Sequence, residues 1–275
     1  MTRALVLGGG GMTGIAWEFG ILGGLARAGV TVGDADTIVG TSAGSVVGSV
    51  VAAGLDLAEA IAYQRTVGSL GAAPAVDITP ALAAFALLAD RSITRAEAMA
   101  RVGRMALDAE TGEEDEHVRR LGAQLPVAEW PERDLRITAV DTAGGEPAVF
   151  DRASGVPLAL AVAASCAVPC VFPPVTIDGR RFMDGGVRSG TNADLAAGAE
   201  AIVVIAPMGA LLRPVIEREI ATVGAARSLV IEPDDGAVEA IGPNVLDPSR
   251  RAAAADAGLR QGEALAAAVR EIWSQ

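Results

Sequence analysis

Asp36-Thr37-Ile38-Val39-Gly40-Thr41-Ser42-Ala43-Gly44-Ser45 decides how the rest of the chain is read. The β-branched run before Ser42 predicts a short buried strand, and the Val- and Ala-rich residues 46–53 predict a helix directly after it. Gly40 and Gly44 stand two residues before and two residues after the serine, the G-x-S-x-G spacing of a nucleophile elbow. Small residues are needed there because strand and helix pass close together at a strained turn. The hydroxyl at the tip is exposed above a helix N-terminus, which favours developing negative charge. A glycine-rich strand-to-helix turn with an ordinary capping serine fits the same ten residues.

Working outward, the next glycine cluster lies upstream. Residues 4–7 are all apolar, as in a parallel strand covered on both faces, and residues 15–28 predict a helix closed by Gly29. Between them runs Gly8-Gly9-Gly10-Gly11-Met12-Thr13-Gly14. Gly9, Gly11 and Gly14 satisfy the G-x-G-x-x-G dinucleotide fingerprint, and Asp34 follows at the expected separation. Asp34, however, precedes the second strand, whereas a ribose-binding acid should emerge from that strand's carboxyl end. The alternative is a nest of backbone N–H groups at a helix N-terminus that receives an oxyanion, with Gly9, Gly10 and Gly11 as donors.

The chain has 275 residues, 51% of them hydrophobic and 3% aromatic, which predicts one α/β domain over residues 1–275 with an aliphatic core. With 22 basic and 34 acidic residues its formal charge is −12. That excludes nucleic acid as an expected partner and disfavours electrostatic docking on anionic lipid, while leaving brief hydrophobic contact with a membrane open. Two cysteines, Cys166 and Cys170, and one histidine assemble neither a disulfide framework nor a usual zinc set, so no metal is expected. Neither a secretory leader nor a membrane span is read: the uncharged stretches 37–55 and 153–177 are interrupted by Gly and Pro, and the expected location is cytoplasmic.

Farther along, residues 57–67 predict a helix and residues 68–74 a small-residue loop. The apolar segment 80–89 suits core or an acyl-chain pocket. Thr94-Arg95-Ala96-Glu97 is a capping box that opens a helix to about residue 107. Residues 111–117 are acidic and read as solvated, His117 with them. Residues 135–141 and 147–150 predict strands, and residues 157–165 a helix with Pro at its start. The prolines in 167–174 predict an extended passage. A hairpin over 175–183 then delivers Asp184, followed by Gly185 and Gly186, two residues free to take positive φ. Strands at 202–206 and 228–232 enclose a helix at 215–223, and 248–273 is a long closing helix. Strands and helices alternate throughout, so the expected fold is α/β, with one mostly parallel sheet between layers of helices.

A serine nucleophile needs a base, and the usual histidine is missing. His117 stands alone, and an α/β-hydrolase chain order would place the histidine last. Asp184 is the candidate: an aspartate at ~3.9 in water is a weak base, and burial raises it.

Taken together, the Gly9–Gly14 loop, Gly40-Thr41-Ser42-Ala43-Gly44 and Asp184-Gly185-Gly186 resemble the three motif blocks of the patatin-like phospholipases. Ala164-Ser165-Cys166-Ala167-Val168-Pro169 through Phe172-Pro173-Pro174 is similar to that family's approach to its aspartate. The resemblance implies a three-layer α/β/α fold and a Ser42–Asp184 dyad. It implies an oxyanion hole around Gly9, Gly10 and Gly11, and hydrolysis of lipid acyl esters without cofactor or metal. Two departures stand out: Thr13 where the family usually has Arg or Lys, and Cys170 where it commonly has glycine. A non-catalytic lipid-binding relative and an acyltransferase remain alternatives to the hydrolase.

Overall fold

Arg3-Ala-Leu-Val-Leu7 forms the central strand, β1, with Leu5 and Leu7 on one face and Ala4 and Val6 on the other, all fully buried. A strand covered on both faces must carry apolar residues at every position, and this one does. The computed structural model describes residues 1–69 and 76–273. In it β1 is followed by α1 (Gly11–Arg27), β2 (Thr37–Thr41), α2 (Ala43–Ala52) and α3 (Leu57–Ser69). Then come α4 (Thr79–Leu87), α5 (Arg95–Asp108), α6 (Glu114–Gly122), β3 (Asp134–Asp141), β4 (Pro147–Phe150) and α7 (Leu158–Ser165). The last part holds β5 (Val175–Ile177), β6 (Arg180–Asp184), β7 (Ala201–Ile205), α8 (Gly209–Val223), β8 (Arg227–Ile231), α9 (Asp235–Ile241) and α10 (Arg251–Trp273).

The strands make one mixed sheet in the order β5-β6-β3-β2-β1-β7-β8, with β4 paired to β3. β3, β2, β1, β7 and β8 are parallel, and β4, β5 and β6 supply the antiparallel pairs. One face packs α1, α2, α7 and α10, through Leu5, Leu7, Ile38, Ile137 and Val203. The opposite face is covered by α8 against Ala4, Val6, Val39 and Ile202, and by α4 and α5 against Val140 and Met183. The α/β/α layering expected from the alternation of elements is therefore present. On the first face α1 and α10 lie backbone to backbone: a Cβ at Gly20, Gly24, Gly258 or Gly262 would run into the facing main chain. Among the described residues no helix is long and apolar enough to cross a membrane.

Several expectations change. Thr94 caps α5 by accepting the Glu97 N–H at 3.2 Å, as the capping box predicts, but the acidic stretch is not uniformly solvated. Glu114, Asp115 and Glu116 open α6, where they suit the positive end of the helix, and His117 on its inner face is 3% exposed. The passage 167–174 is not extended throughout, because the N–H groups of Val171 and Phe172 return to the Val168 carbonyl in a tight turn. Cys170 sits in that turn at φ 64°, so the left-handed conformation that suits glycine is kept without the glycine. In segment 80–89, Ala81 and Ala84 are buried while Leu82 is exposed, which makes it partly core. The predicted loop at 68–74 lies outside the described residues from residue 70 onward; its first two residues end α3. The short helix α9 has no counterpart among the expected elements.

Candidate active site

The register of β3 determines what meets at the site. Ile137 and Thr138 pair with β2 and also with β4, so those two strands lie on opposite edges of β3. Ala139 and Val140 pair with β4 and also with β6, so β6 shares an edge with β2. β2 runs parallel to β3 and ends at Thr41 opposite Thr138; β6 runs antiparallel and ends at Asp184 opposite Ala139. The two strands thus meet C-terminus to C-terminus on adjacent rungs, about 3.3 Å apart along β3. Chain leaving β2 cannot continue as strand, because β6 occupies the next rung. It turns at Ser42, and the serine comes to lie beside Asp184.

Ser42 adopts φ 51°, ψ −116° and is 7% exposed. A non-glycine residue in that conformation costs about 1–3 kcal/mol and persists only where neighbours fix it. Its carbonyl accepts from the Ser45 N–H (2.8 Å) and the Ser45 hydroxyl (2.7 Å), which starts α2. The flanking glycines permit the approach. A Cβ on Gly44 would overlap the Leu7 carbonyl, and one on Gly40 would meet the Gly44 carbonyl oxygen at 2.6 Å.

Asp184 is 3% exposed. Its carboxylate Oδ1 accepts the Gly186 N–H at 2.7 Å, so the carboxylate caps the 3-10 turn Gly185–Val187. Neither Gly185 nor Gly186 takes positive φ. Glycine is required for space instead, since a Cβ on Gly185 would strike the Thr138 hydroxyl and one on Gly186 would lie 2.9 Å from Asp184 Oδ1. Burial pushes the Asp184 carboxyl up to about 6, against the opposing pull of the Ser42 hydroxyl and the Gly186 N–H.

The glycine loop closes the site from the β1 side. Gly9 lies alongside the serine: a Cβ there would stand 3.6 Å from Ser42 Cβ. Its N–H donates to the Gly190 carbonyl at 2.8 Å. Gly10 and Gly11 are the Ncap and first residue of α1, where N–H groups have no acceptor inside the helix. Gly11 holds φ 60° against the Val245 carbonyl, and Gly14 packs on Pro207 and Ala43. Thr13, fully buried, donates its N–H (3.1 Å) and hydroxyl (3.3 Å) to Val245 O, so it ties the loop down where the family's cation would carry charge.

Under the site runs a buried polar network that the sequence did not signal. Asn192 Nδ2 reaches Thr41 Oγ1 (3.0 Å), Thr138 Oγ1 (3.3 Å) and the Ser189 carbonyl (2.8 Å), and the Thr138 hydroxyl donates to Thr41 Oγ1 at 3.0 Å. Arg188, paired with Asp194, donates to Asn192 Oδ1 at 2.6 Å. The network joins the end of β2 and the middle of β3 to the loop after Asp184. Nothing in the spacing of Asn192 or Thr138 distinguishes them from other polar residues, so only the fold could find them.

His117 is not part of this arrangement. Its Nε2 lies 3.0 Å from the Ala163 carbonyl and its Nδ1 3.2 Å from Arg120, and its ring stacks on Phe172 at 5.1 Å. Asp34, the acid a dinucleotide fingerprint would need, is held at the opposite end of the sheet. It accepts from Trp273 Nε1 at 2.9 Å and pairs with Arg3 at 3.2 Å. Among the described residues no three His, Cys, Asp or Glu side chains gather as a metal set.

Two of the solved structures that match this chain align with most of it. That of VipD from Legionella pneumophila aligns over 97% of this chain and 67% of its own, at 13% identity and a TM-score of 0.48. The type III effector protein ExoU aligns over 95% of this chain at 16% identity and a TM-score of 0.36; the chain spans about half of ExoU's length (53%). No curated protein sequence matches. The profile of the patatin-like phospholipases matches residues 5–197, which takes in the glycine loop, Ser42 and Asp184, and the chain belongs to that family.

Proposed function

We propose that this chain is a serine acyl-hydrolase of lipid carboxylic esters that works through Ser42 and Asp184. The observation that carries the reading is the end-to-end meeting of β2 and β6, which sets a strained, buried serine beside a buried carboxylate of raised basicity. Family membership supports lipid hydrolysis in general terms.

In this mechanism Ser42 Oγ attacks the ester carbonyl carbon while its proton passes to Asp184. The carbonyl oxygen becomes an oxyanion facing the N–H groups of Gly10 and Gly11 at the positive end of α1. Collapse of the tetrahedral intermediate expels the alcohol, which takes the proton from Asp184 and leaves an acyl-serine. Water then attacks the acyl carbon, Asp184 accepts a proton from it, and the second collapse returns that proton to Ser42 and releases the acid. Aspartate suffices as base because burial has moved it to about 6, so little driving force is wasted near neutral pH.

Labelling with a fluorophosphonate probe, followed by a screen of p-nitrophenyl esters and phospholipids of graded chain length, tests the reading. Ser42 is expected to be the labelled residue, and Ser42→Ala to lose both labelling and hydrolysis while keeping its fold. A Ser42→Ala variant that still hydrolyses these esters at the parent rate overturns the proposal.

A further inference from the structure

Three consecutive residues at the C-terminal end of α7 hold the main chains of both Ser42 and Asp184. Ser165 Oγ accepts the Ser42 N–H at 2.9 Å. Cys166 Sγ donates to the Ser42 carbonyl at 3.3 Å and lies 3.7 Å from the Ser45 hydroxyl. The Ala167 carbonyl accepts the Asp184 N–H at 2.9 Å. Ser165 is fully buried, Ala167 is 1% exposed, and Cys166 is buried as well.

We infer that Ser165-Cys166-Ala167 is a positioning strap that sets the Ser42 peptide, and with it the Ser42 hydroxyl, relative to Asp184; the inference rests on the acyl-hydrolase reading above. The need for such a strap follows from the backbone. At φ 51° the Ser42 N–H has left the β2 ladder and points into protein, where no water can satisfy it. Relaxing the serine toward an ordinary conformation would swing its side chain, and a displacement of about 1 Å in a reacting group is enough to cost roughly a hundredfold in rate. Ser165 removes the incentive to relax by giving that N–H a partner. Cys166 adds a further hold on the carbonyl, which already accepts from the Ser45 N–H and hydroxyl, and burial pushes its thiol up to about 12 and keeps it a donor. One residue farther on, Ala167 fixes the carboxylate's own strand end. Both halves of the proposed dyad are thereby referred to one rigid helix end. That end is anchored in turn by His117 on the Ala163 carbonyl, one turn back.

These are positioning residues: Ser165 and Ala167 hold main-chain atoms, and the Cys166 thiol, kept protonated by burial, adds a contact with the Ser42 side chain to its hold on the carbonyl. The test compares the parent with Ser165→Ala, Ser165→Thr, Cys166→Ala and Cys166→Ser, after circular dichroism has established which variants fold. The measurements are kcat and KM on a p-nitrophenyl ester, the rate of fluorophosphonate labelling, the pH–rate profile, and hydrogen exchange of the Ser42 amide by NMR. Ser165→Ala is expected to lower kcat and the labelling rate at least tenfold with KM within twofold. Its Ser42 amide should exchange faster, and its apparent pKa should rise as the Ser42 hydroxyl drifts from Asp184. Ser165→Thr, which keeps the acceptor oxygen, should return to within threefold of the parent. Cys166→Ser should match the parent, with Cys166→Ala slower by several-fold. A folded Ser165→Ala variant within threefold of the parent rate and with unchanged Ser42 exchange overturns the strap. Should Ser165→Ala not fold, equality of Cys166→Ala and the parent in both rate and exchange overturns it. A parent that neither labels nor turns over sinks the hydrolase reading instead, and Ser42 exchange in the same variants still decides whether the strap exists.

Discussion

Asp184 and His117 are both tied to the end of α7, one through the Ala167 carbonyl and the other at the Ala163 carbonyl, and burial moves them in opposite directions. Burial disfavours whichever form is charged. It therefore raises the Asp184 carboxyl to about 6 and lowers the His117 imidazole to about 4, where the nearby Arg120 charge acts in the same sense. The carboxylate gains basicity and keeps its place beside Ser42. The histidine loses basicity, and both of its nitrogens are already engaged, by Ala163 and Arg120. On the proposed mechanism the difference explains why the single histidine is not needed as a base: burial has made Asp184 the stronger candidate of the two.

The comparison breaks hardest at Asp184. Asp184→Asn should reduce ester hydrolysis at least a thousandfold, because an amide cannot take the serine's proton. It should also stabilise the protein at pH 8. Asp184 has a folded value of about 6 against an ordinary 3.8, so the native chain binds more protons between those limits. Its contribution to stability is present at low pH and lost as the pH rises through 6, a loss of about 3 kcal/mol at most. The amide of the variant does not titrate and escapes that loss, so urea unfolding should give Asp184→Asn an advantage of roughly 2–3 kcal/mol at pH 8 and none at pH 4. For the parent, kcat/KM should rise with pH through an apparent pKa near 6. An Asp184→Asn variant whose stability relative to the parent is the same at both pH values would mean that the carboxylate is not desolvated as described.

His117 gives the mirror image. Its folded value of about 4 lies below the ordinary 6.5, so the unfolded chain binds more protons in that interval. The stability it contributes is present above pH 6.5 and lost as the pH falls toward 4. Between pH 4 and 6 the two groups therefore offset one another. Asp184→Asn should uncover a stability that rises with pH through this window, and His117→Ala one that falls. At pH 7 His117→Ala should cost about 2–3 kcal/mol through the lost packing and the unpaired Ala163 carbonyl. Its effect on kcat should stay below tenfold, since α7 is loosened but the reacting groups remain.

How much of this was legible beforehand follows from where each signal resides. The elbow, the glycine loop and the Asp-Gly-Gly turn are local: close backbone approach demands glycine at fixed offsets, and such demands are written in the sequence. β1 and β7 were legible because strands buried on both faces are apolar at every position. Other features depend on contacts distant in sequence. His117 looked solvated because its neighbours are acidic, yet those neighbours occupy the first turn of α6 and leave the ring facing α7. Gly9 belongs to a glycine run, and only the placement of Gly190 beside it shows which carbonyl its N–H meets. Asn192 and Thr138 carry no pattern at all; their role exists only once β2, β3 and the loop after β6 converge. Cys170 marks the converse, where a missing glycine suggested a changed turn and the backbone kept its left-handed residue.

The finest test of the comparison leaves both titrating residues in place and changes only what covers one of them. Phe172 stacks on His117 at 5.1 Å, and the Arg120 guanidinium lies 4.6 Å from the centre of the same Phe172 ring. The ring helps to keep water from the imidazole, and desolvation is the largest cause of its depressed basicity. Phe172→Ala should admit water to one face of His117 and move its midpoint from about 4 part of the way back toward 6.5. With one histidine in the chain the imidazole Cε1–H resonance is unambiguous, and an NMR titration reads the midpoint directly. The pH–rate profile, which on the proposed mechanism reports Asp184, should not move, because the ring stacks on His117 while the polar partners of that carboxyl are Ser42 and Gly186. Stability should fall by roughly 1–2 kcal/mol, less than a full Phe→Ala core loss because Phe172 is only partly buried. A His117 midpoint that stays near 4 would assign the depression to Arg120 and to burial by the rest of the fold; a shifted rate profile would show that the two groups are coupled through the helix they share.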